Sequence, residues 1–469
     1  MMQKLLTKYW LALHLAVLFL AAWLCVMYPG TETVLSLFWL SFFAVQTFVL
    51  LPSMLRGETM GAARLRACLN AVQDPFTYIG FALVIFVCIQ WLNSGCSLVY
   101  LDDVELWRYG PPPVGWLPYS VEPFPAFMVL ALLTVSVIGG VGFRNGVGKA
   151  GKRFFLDMVS LISGCVAIYM VVMSLTGEQP YAERATLTEG GNWGTCFGFW
   201  LIVALGGHLN FREEGFAKTL GWSFFSLLGN LVGLLQFGSL LCVILFGGVA
   251  LFMLVYWIFF LLRQTIGGVA QLKLFLCVVI AGVTLFLLLY LIPGNPVKEK
   301  LAQMADAQYY EKLLDGRRFQ EPFAWQIWQD HPWTGVGANG FAHYSRTLIE
   351  ETDWARLKAC GGHLSNDWLQ FLTEYGIIGA GFLLGLFIVL LIPLFSRMRL
   401  AFQSLRSSSG EGGSLTDIDP YVVSGIVAVA LVLLLSFLFS PLQSGAILIS
   451  FMCVLAVIPG FLPTGVGDK

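Results

Sequence analysis

The stretch GGHLSNDWLQFLTEYGIIGAGFLLGLF, running from Gly361 to Phe387, joins two unlike chemistries. Its first half carries His363, Asn366, Asp367, Gln370 and Glu374, all hydrogen-bonding groups. Its second half is apolar enough to enter a bilayer. On a helix, residues three and four apart share a face. His363, Asn366, Gln370 and Glu374 therefore form one polar stripe, while Leu364, Trp368, Phe371, Leu372 and Tyr375 cover the other side. Polar groups at membrane depth are costly unless they face a cavity or a partner. The stripe is expected to line a hydrated pocket at the outer membrane interface. The same spacing also fits a structural stripe bonded to neighbouring helices.

The rest of the chain extends the membrane reading. Of 469 residues, 57% are hydrophobic and only 12% are charged, with mean hydropathy +0.77. Soluble domains carry about 25% charged residues. A net charge of -1 gives no reason to expect nucleic acid. Runs of roughly 20 apolar residues are long enough to span. They predict about 12 transmembrane helices, at 10–28, 33–52, 77–93, 123–140, 155–175, 194–210, 220–236, 239–262, 273–292, 377–396, 421–440 and 442–460. The seventh and eighth are joined by a tight turn near Gln236, and the last two break at Ser440-Pro441. With the N-terminus inside, most of the 27 Lys and Arg fall in inner segments, among them Arg144, Lys149, Lys152 and Arg153. This satisfies the positive-inside rule. Both termini are then cytoplasmic, and the first apolar run is an uncleaved helix. The expected organisation is helices 1–9 in 1–292, a large helical outer segment in 293–376, and helices 10–12 in 377–469.

The outer segment contains FQEPFAWQIWQDHPWTGVGANGF. Phe323, Ile327 and Trp328 share a helical face, and Pro332 ends the helix. The glycines of GVGANG match a GxGxxG pattern, but a Rossmann site needs a preceding strand and a following βαβ helix. The turn either offers backbone N–H groups to an anion or is a plain tight turn. Cys96 and Cys360 are placed to face an oxidising compartment, a disulfide between them being one option.

Two stretches resemble the bacterial O-antigen ligases and O-antigen polymerases. GRRFQEPFAWQIWQDHPWTGVGANGF is similar to that family's Arg…Trp…His-Pro-x-x-Gly-x-Gly stretch. HLSNDWLQFLTEYGIIG is similar to its His-Asn-x-x-Leu-Gln…Glu-x-Gly-x-x-Gly stretch. ERATLTEGGNWG is more weakly like an outer-loop Arg with a downstream Gly-Asn. One position departs: Ser365 stands where the family has a histidine before the Asn, and the surviving histidine is His363.

The resemblance implies an all-α, GT-C-like integral membrane glycosyltransferase of the bacterial inner membrane, with a periplasmic active site. It implies transfer of a glycan from a polyprenyl-pyrophosphate donor to a hydroxyl on a lipid or another glycan. Arginines would hold the diphosphate and stabilise its developing charge. Arg317 and Arg184 match those positions, and Arg318 is adjacent. His363 would act as general base, a role a neutral imidazole suits near neutral pH. Asn366, Asn192 and Glu374 would contact substrate. His331, at a helix end before a proline, is adequately explained by capping and dipole interaction. No metal and no cofactor is required.

Other readings remain. A polymerase shares these motifs. The acids Asp102, Asp103 and Glu105 could hold a divalent ion in a metal-dependent lipid-sugar glycosyltransferase, and Asp417 and Asp419 form an inner Asp-x-Asp. A transporter or flippase would show repeated halves or broken mid-membrane helices.

Overall fold

The computed structural model describes residues 69–96, 98–101, 106–175, 192–209, 216–255, 302, 307–348, 364–407, 419–443 and 445–461. In chain order the elements are α1 (Pro75–Leu92), β1 (Leu98–Leu101), β2 (Leu106–Tyr109), α2 (Pro123–Gly146), α3 (Lys149–Leu175), α4 (Asn192–Leu209) and α5 (Phe216–Phe237). There follow α6 (Leu240–Val255), α7 (Ala307–Asp330), α8 (Phe341–Tyr344), α9 (Asp367–Ser407), α10 (Pro420–Leu435) and α11 (Gly445–Val457). Four described segments are long and apolar enough to cross a membrane: Pro75–Leu92, Pro123–Asn145, Gly151–Met173 and Asp367–Ile392. Shorter apolar helices accompany them. The expected spans at 10–28, 33–52 and 273–292 lie outside the described residues.

The helix starts follow local chemistry. Asp74 accepts from Phe76 N (3.1 Å) and Asp419 from Tyr421 N (3.2 Å), each ahead of a proline at the first helical position. These are ordinary N-caps. Ser239 caps α6 by accepting from Cys242 N, which makes the tight turn after α5.

In the bundle α5 packs on α3 and α4, α10 on α4, α11 on α2, and α1 on both α2 and α9. Gly164 and Gly229 meet backbone to backbone, with no room for a Cβ on Gly229. Small residues allow this close approach between membrane helices. Beside them Asn230 donates to Ser160 O (2.9 Å) and Ser226 O (2.8 Å) and accepts from Ser163 Oγ (2.7 Å).

The two ends of the bundle differ. At one end Arg144 pairs with Asp74 (2.6 Å), and Asp419 holds Arg153 (2.7 Å) and Lys149 (3.4 Å). Asp419 thus serves a cap and two cations, and Tyr421 bonds Asp157 beside it. At the other end is a feature the all-α expectation lacks, the antiparallel pair β1–β2, with Val99 opposite Arg108. LVYL and LWRY are rich in strand-forming residues, but each is only four residues long. Cys96, just before the hairpin, is a buried free thiol rather than half of a disulfide, and Cys360 lies outside the described residues.

Asn93, at the end of α1, fastens the loop after the hairpin. Its Nδ2 reaches Val114 O (2.9 Å), Pro118 O (3.2 Å) and Leu117 O (3.3 Å), and its Oδ1 accepts from Val114 N (2.9 Å). Asn93→Ala should cost about 2–3 kcal/mol, at roughly 1 kcal/mol per hydrogen bond with some shared donors. The check is proteolysis: the loop at 110–122 should be cut faster in the variant, and an unchanged cutting rate would refute this account.

Candidate functional site

The site is built where α7, the glycine-rich turn and α9 converge. α9 breaks at Gly376, whose φ of 61° and ψ of -170° interrupt the helix. This is the residue at which the sequence reading ends the outer segment. An unbroken α-helix would bond Ile377 N to Thr373 O and Ile378 N to Glu374 O. Those four groups are bonded elsewhere. Thr373 O accepts from Val336 N (3.1 Å) and Glu374 O from Gly337 N (3.0 Å). Ile377 N donates to Pro332 O (2.9 Å) and Ile378 N to Trp333 O (3.1 Å). The glycine-rich turn therefore plugs into the break, and these four backbone groups all find partners there. From α1, the buried Gln90 closes the joint by donating to Thr334 O (3.0 Å) and Glu374 O (3.2 Å).

The turn has left-handed backbone at Gly335 (φ 65°), Gly337 (φ 97°) and Asn339 (φ 54°). Glycine adopts this region without strain, and Asn tolerates it better than most residues. The N–H groups on its far side are taken by a carboxyl of the chain itself, that of Glu374. Its carboxylate accepts from Asn339 N (3.0 Å), Phe341 N (3.4 Å) and Gln370 Nε2 (2.8 Å). Gln370 in turn accepts from Leu364 N (2.9 Å).

Gln370 and Glu374 are fully buried. At these two positions the expected hydrated pocket is corrected. The polar stripe exists, but it is sealed, because backbone N–H groups rather than water satisfy it. Asn366 is half-buried and caps the first turn of α9 by accepting from Leu369 N (3.3 Å).

A second polar group surrounds His331. Its Nε2 lies 2.9 Å from the Tyr344 hydroxyl and its Nδ1 3.3 Å from that of Tyr119. Both rings meet the imidazole edge-on. Tyr344 stacks on Tyr109 (6.0 Å between centroids), and Tyr109 donates to Glu122 (3.5 Å). Burial pushes the His331 imidazole below its ordinary value, opposed by Asp330. Burial likewise lowers His343, against the field of Glu122. Burial raises the phenols of Tyr119 and Tyr344, and with help from Glu122 takes Tyr109 to about 12. At neutral pH the imidazoles are neutral and the phenols keep their protons. Sequence reasoning placed His331 at a helix end, where its backbone N–H still donates to Ile327 O (3.0 Å), but gave no signal for the two tyrosines.

Arg317 and Arg318 lie on α7, the helix that delivers His331. Asn192 opens α4, whose other end places Gly207 beside Tyr421, so Asn192 sits at the hairpin end of the bundle. His363 and Arg184 lie outside the described residues, as do Asp102, Asp103, Glu105 and Asp417. Leu364, next in sequence to His363, is buried with Ala324, Ile327, Val336, Phe341 and Leu369 in a small apolar cluster. Tyr344, the partner of His331, packs against that same cluster.

Residues 222–384 match the family model described as O-Antigen ligase, so the resemblance read from the two motifs holds over that stretch. No curated protein matches the chain.

Proposed function

From the O-antigen ligase match over residues 222–384, we propose that the chain is a membrane glycosyltransferase that moves a glycan from a polyprenyl-pyrophosphate donor to an acceptor hydroxyl. What carries the reading is that α7, the plugged turn and the start of α9, all inside the matched residues, gather at one end of an apolar helix bundle. The positive-inside rule assigns the end bearing Arg144, Lys149 and Arg153 to the cytoplasm. The candidate site then faces the periplasm, both termini are cytoplasmic, and the membrane is the bacterial inner membrane.

Arg317 and Arg184 clamp the diphosphate and stabilise the charge it acquires on leaving. Arg318 and Asn192 assist in holding the donor. His363 takes the proton of the acceptor hydroxyl. Asn366 shapes the approach to His363 through the first turn of α9. Glu374 serves substrate binding through the turn that its carboxylate holds. No step in this scheme calls for a metal or a cofactor.

A transporter reading draws on broken helices that offer backbone groups to ions. In α9 the four freed groups are all taken by the chain, which favours the enzyme.

The test is deletion of the gene in its source cell, with surface glycans compared by gel and mass spectrometry. Loss of capped glycan with donor accumulation supports a ligase, whereas single repeat units support a polymerase of the same family. Complementation with Arg317→Ala or His363→Ala should restore less than about 1% of transfer while the protein inserts normally, given the 10²–10³-fold cost of losing one such group. Full complementation by both variants rules out this enzyme reading.

A further inference from the structure

We infer that His331, held between the hydroxyls of Tyr119 and Tyr344, takes over the role of base from His363 and accepts the acceptor's proton by way of Tyr344. The inference rests on the glycosyltransferase reading. Its geometric basis is separate from the family motifs, which speak for His363.

Both ring nitrogens of His331 are engaged by phenols that come from different parts of the chain. A neutral imidazole has one N–H donor and one acceptor nitrogen. It therefore accepts from one phenol and donates to the other, making an unbroken line from Tyr344 through the ring to Tyr119. The groups facing this line are Asp330 on α7, Arg108 on β2, acting on Tyr344, and Arg346 after α8, acting on Tyr109 and His343, with Glu122 and Cys96 in the loops beside it. The Arg108 guanidinium thus borders the line at Tyr344. The line also adjoins the segment leading into α9, since Tyr344 packs on the cluster containing Leu364. Ser365, where the family has a histidine, leaves one imidazole fewer near Asn366.

The acceptor hydroxyl passes its proton to the Tyr344 oxygen as the Tyr344 proton passes to Nε2. The ring becomes an imidazolium, and its Nδ1–H donates to the Tyr119 oxygen. The acceptor oxygen's electron pair forms the new bond to the anomeric carbon. The old bond from that carbon to the diphosphate breaks, and its electron pair leaves with the diphosphate. The imidazolium then returns its proton to water. Burial keeps the resting ring neutral and ready to accept.

The test uses the full-length protein in lipid nanodiscs, with the lipid-linked glycan that accumulates in the deletion strain as donor. His331→Gln keeps one donor and one acceptor between the tyrosines, but it cannot take up a proton. Its kcat should fall about 10²–10³-fold, with KM within about twofold and an unchanged thermal midpoint. Tyr344→Phe should lose a similar factor. Tyr119→Phe, which only fixes the tautomer, should lose about tenfold, far less than the 10²–10⁴-fold span of a proton-transfer group. In the wild type the acid limb of kcat/KM should have its midpoint below the ordinary histidine value of 6.5, and His331→Gln should abolish that limb.

A His331→Gln protein with wild-type kcat and an unchanged acid limb overturns the inference alone. So does a loss of activity that merely tracks a loss of folded protein. A wild type that transfers no glycan overturns the glycosyltransferase reading, and this inference with it.

Discussion

Gly376→Ala is expected to lower the stability of the folded protein by about 3 kcal/mol, roughly a hundredfold in the folding equilibrium. The backbone at Gly376 (φ 61°, ψ -170°) lies in a region essentially reserved for glycine. A Cβ there would also run into the Trp333 carbonyl and Thr334 N, which cannot withdraw without breaking the bonds to Ile377 and Ile378. The chain could respond by closing α9 into a continuous helix. That would recover two helix bonds and strand the four groups of the turn that now fill the break. The control is Gly381→Ala on the same helix, where nothing lies within 4 Å of the added carbon. It should be neutral or stabilising by up to about 1 kcal/mol. Thermal unfolding in nanodiscs compares the two, and equal midpoints would refute the plugged-break account.

Glu374→Ala is expected to be the most damaging single change at the site, at about 3–5 kcal/mol. It leaves Asn339 N, Phe341 N and Gln370 Nε2 without their acceptor in a fully enclosed space. Glu374→Gln keeps one acceptor oxygen but turns an amide NH₂ toward N–H donors, and should cost about 2 kcal/mol. Unfolding midpoints order the three proteins as wild type, Gln, then Ala. If the Ala variant unfolds with the wild type, the carboxylate does not hold the turn.

The helices were readable because a bilayer demands long apolar runs: nine of the expected runs fall wholly or partly on described helices, and four described segments are long and apolar enough to cross a membrane. The breaks near Gln236 and Pro441 showed in the sequence because Ser239 and Pro441 punctuate those runs. The hairpin was not readable, since four-residue strands carry too short a pattern to distinguish from loop. At the site, the 3,4,4 spacing of the stripe was visible, but spacing cannot say whether a carboxylate meets water or backbone N–H. That depended on Asn339, 35 residues away. His331 poses the same problem on a larger scale, because its partner Tyr119 is 212 residues distant. The exchange of bonds around Gly376 pairs groups some 40 residues apart, and no local rule foresees it.

Asp419 sits 266 residues after Arg153, the cation it neutralises. A ribosome that has just released α3 has therefore delivered Arg153 and Lys149 long before their carboxylate exists. Until the carboxy-terminal helices arrive, both cations lack the carboxylate that holds them in the finished fold.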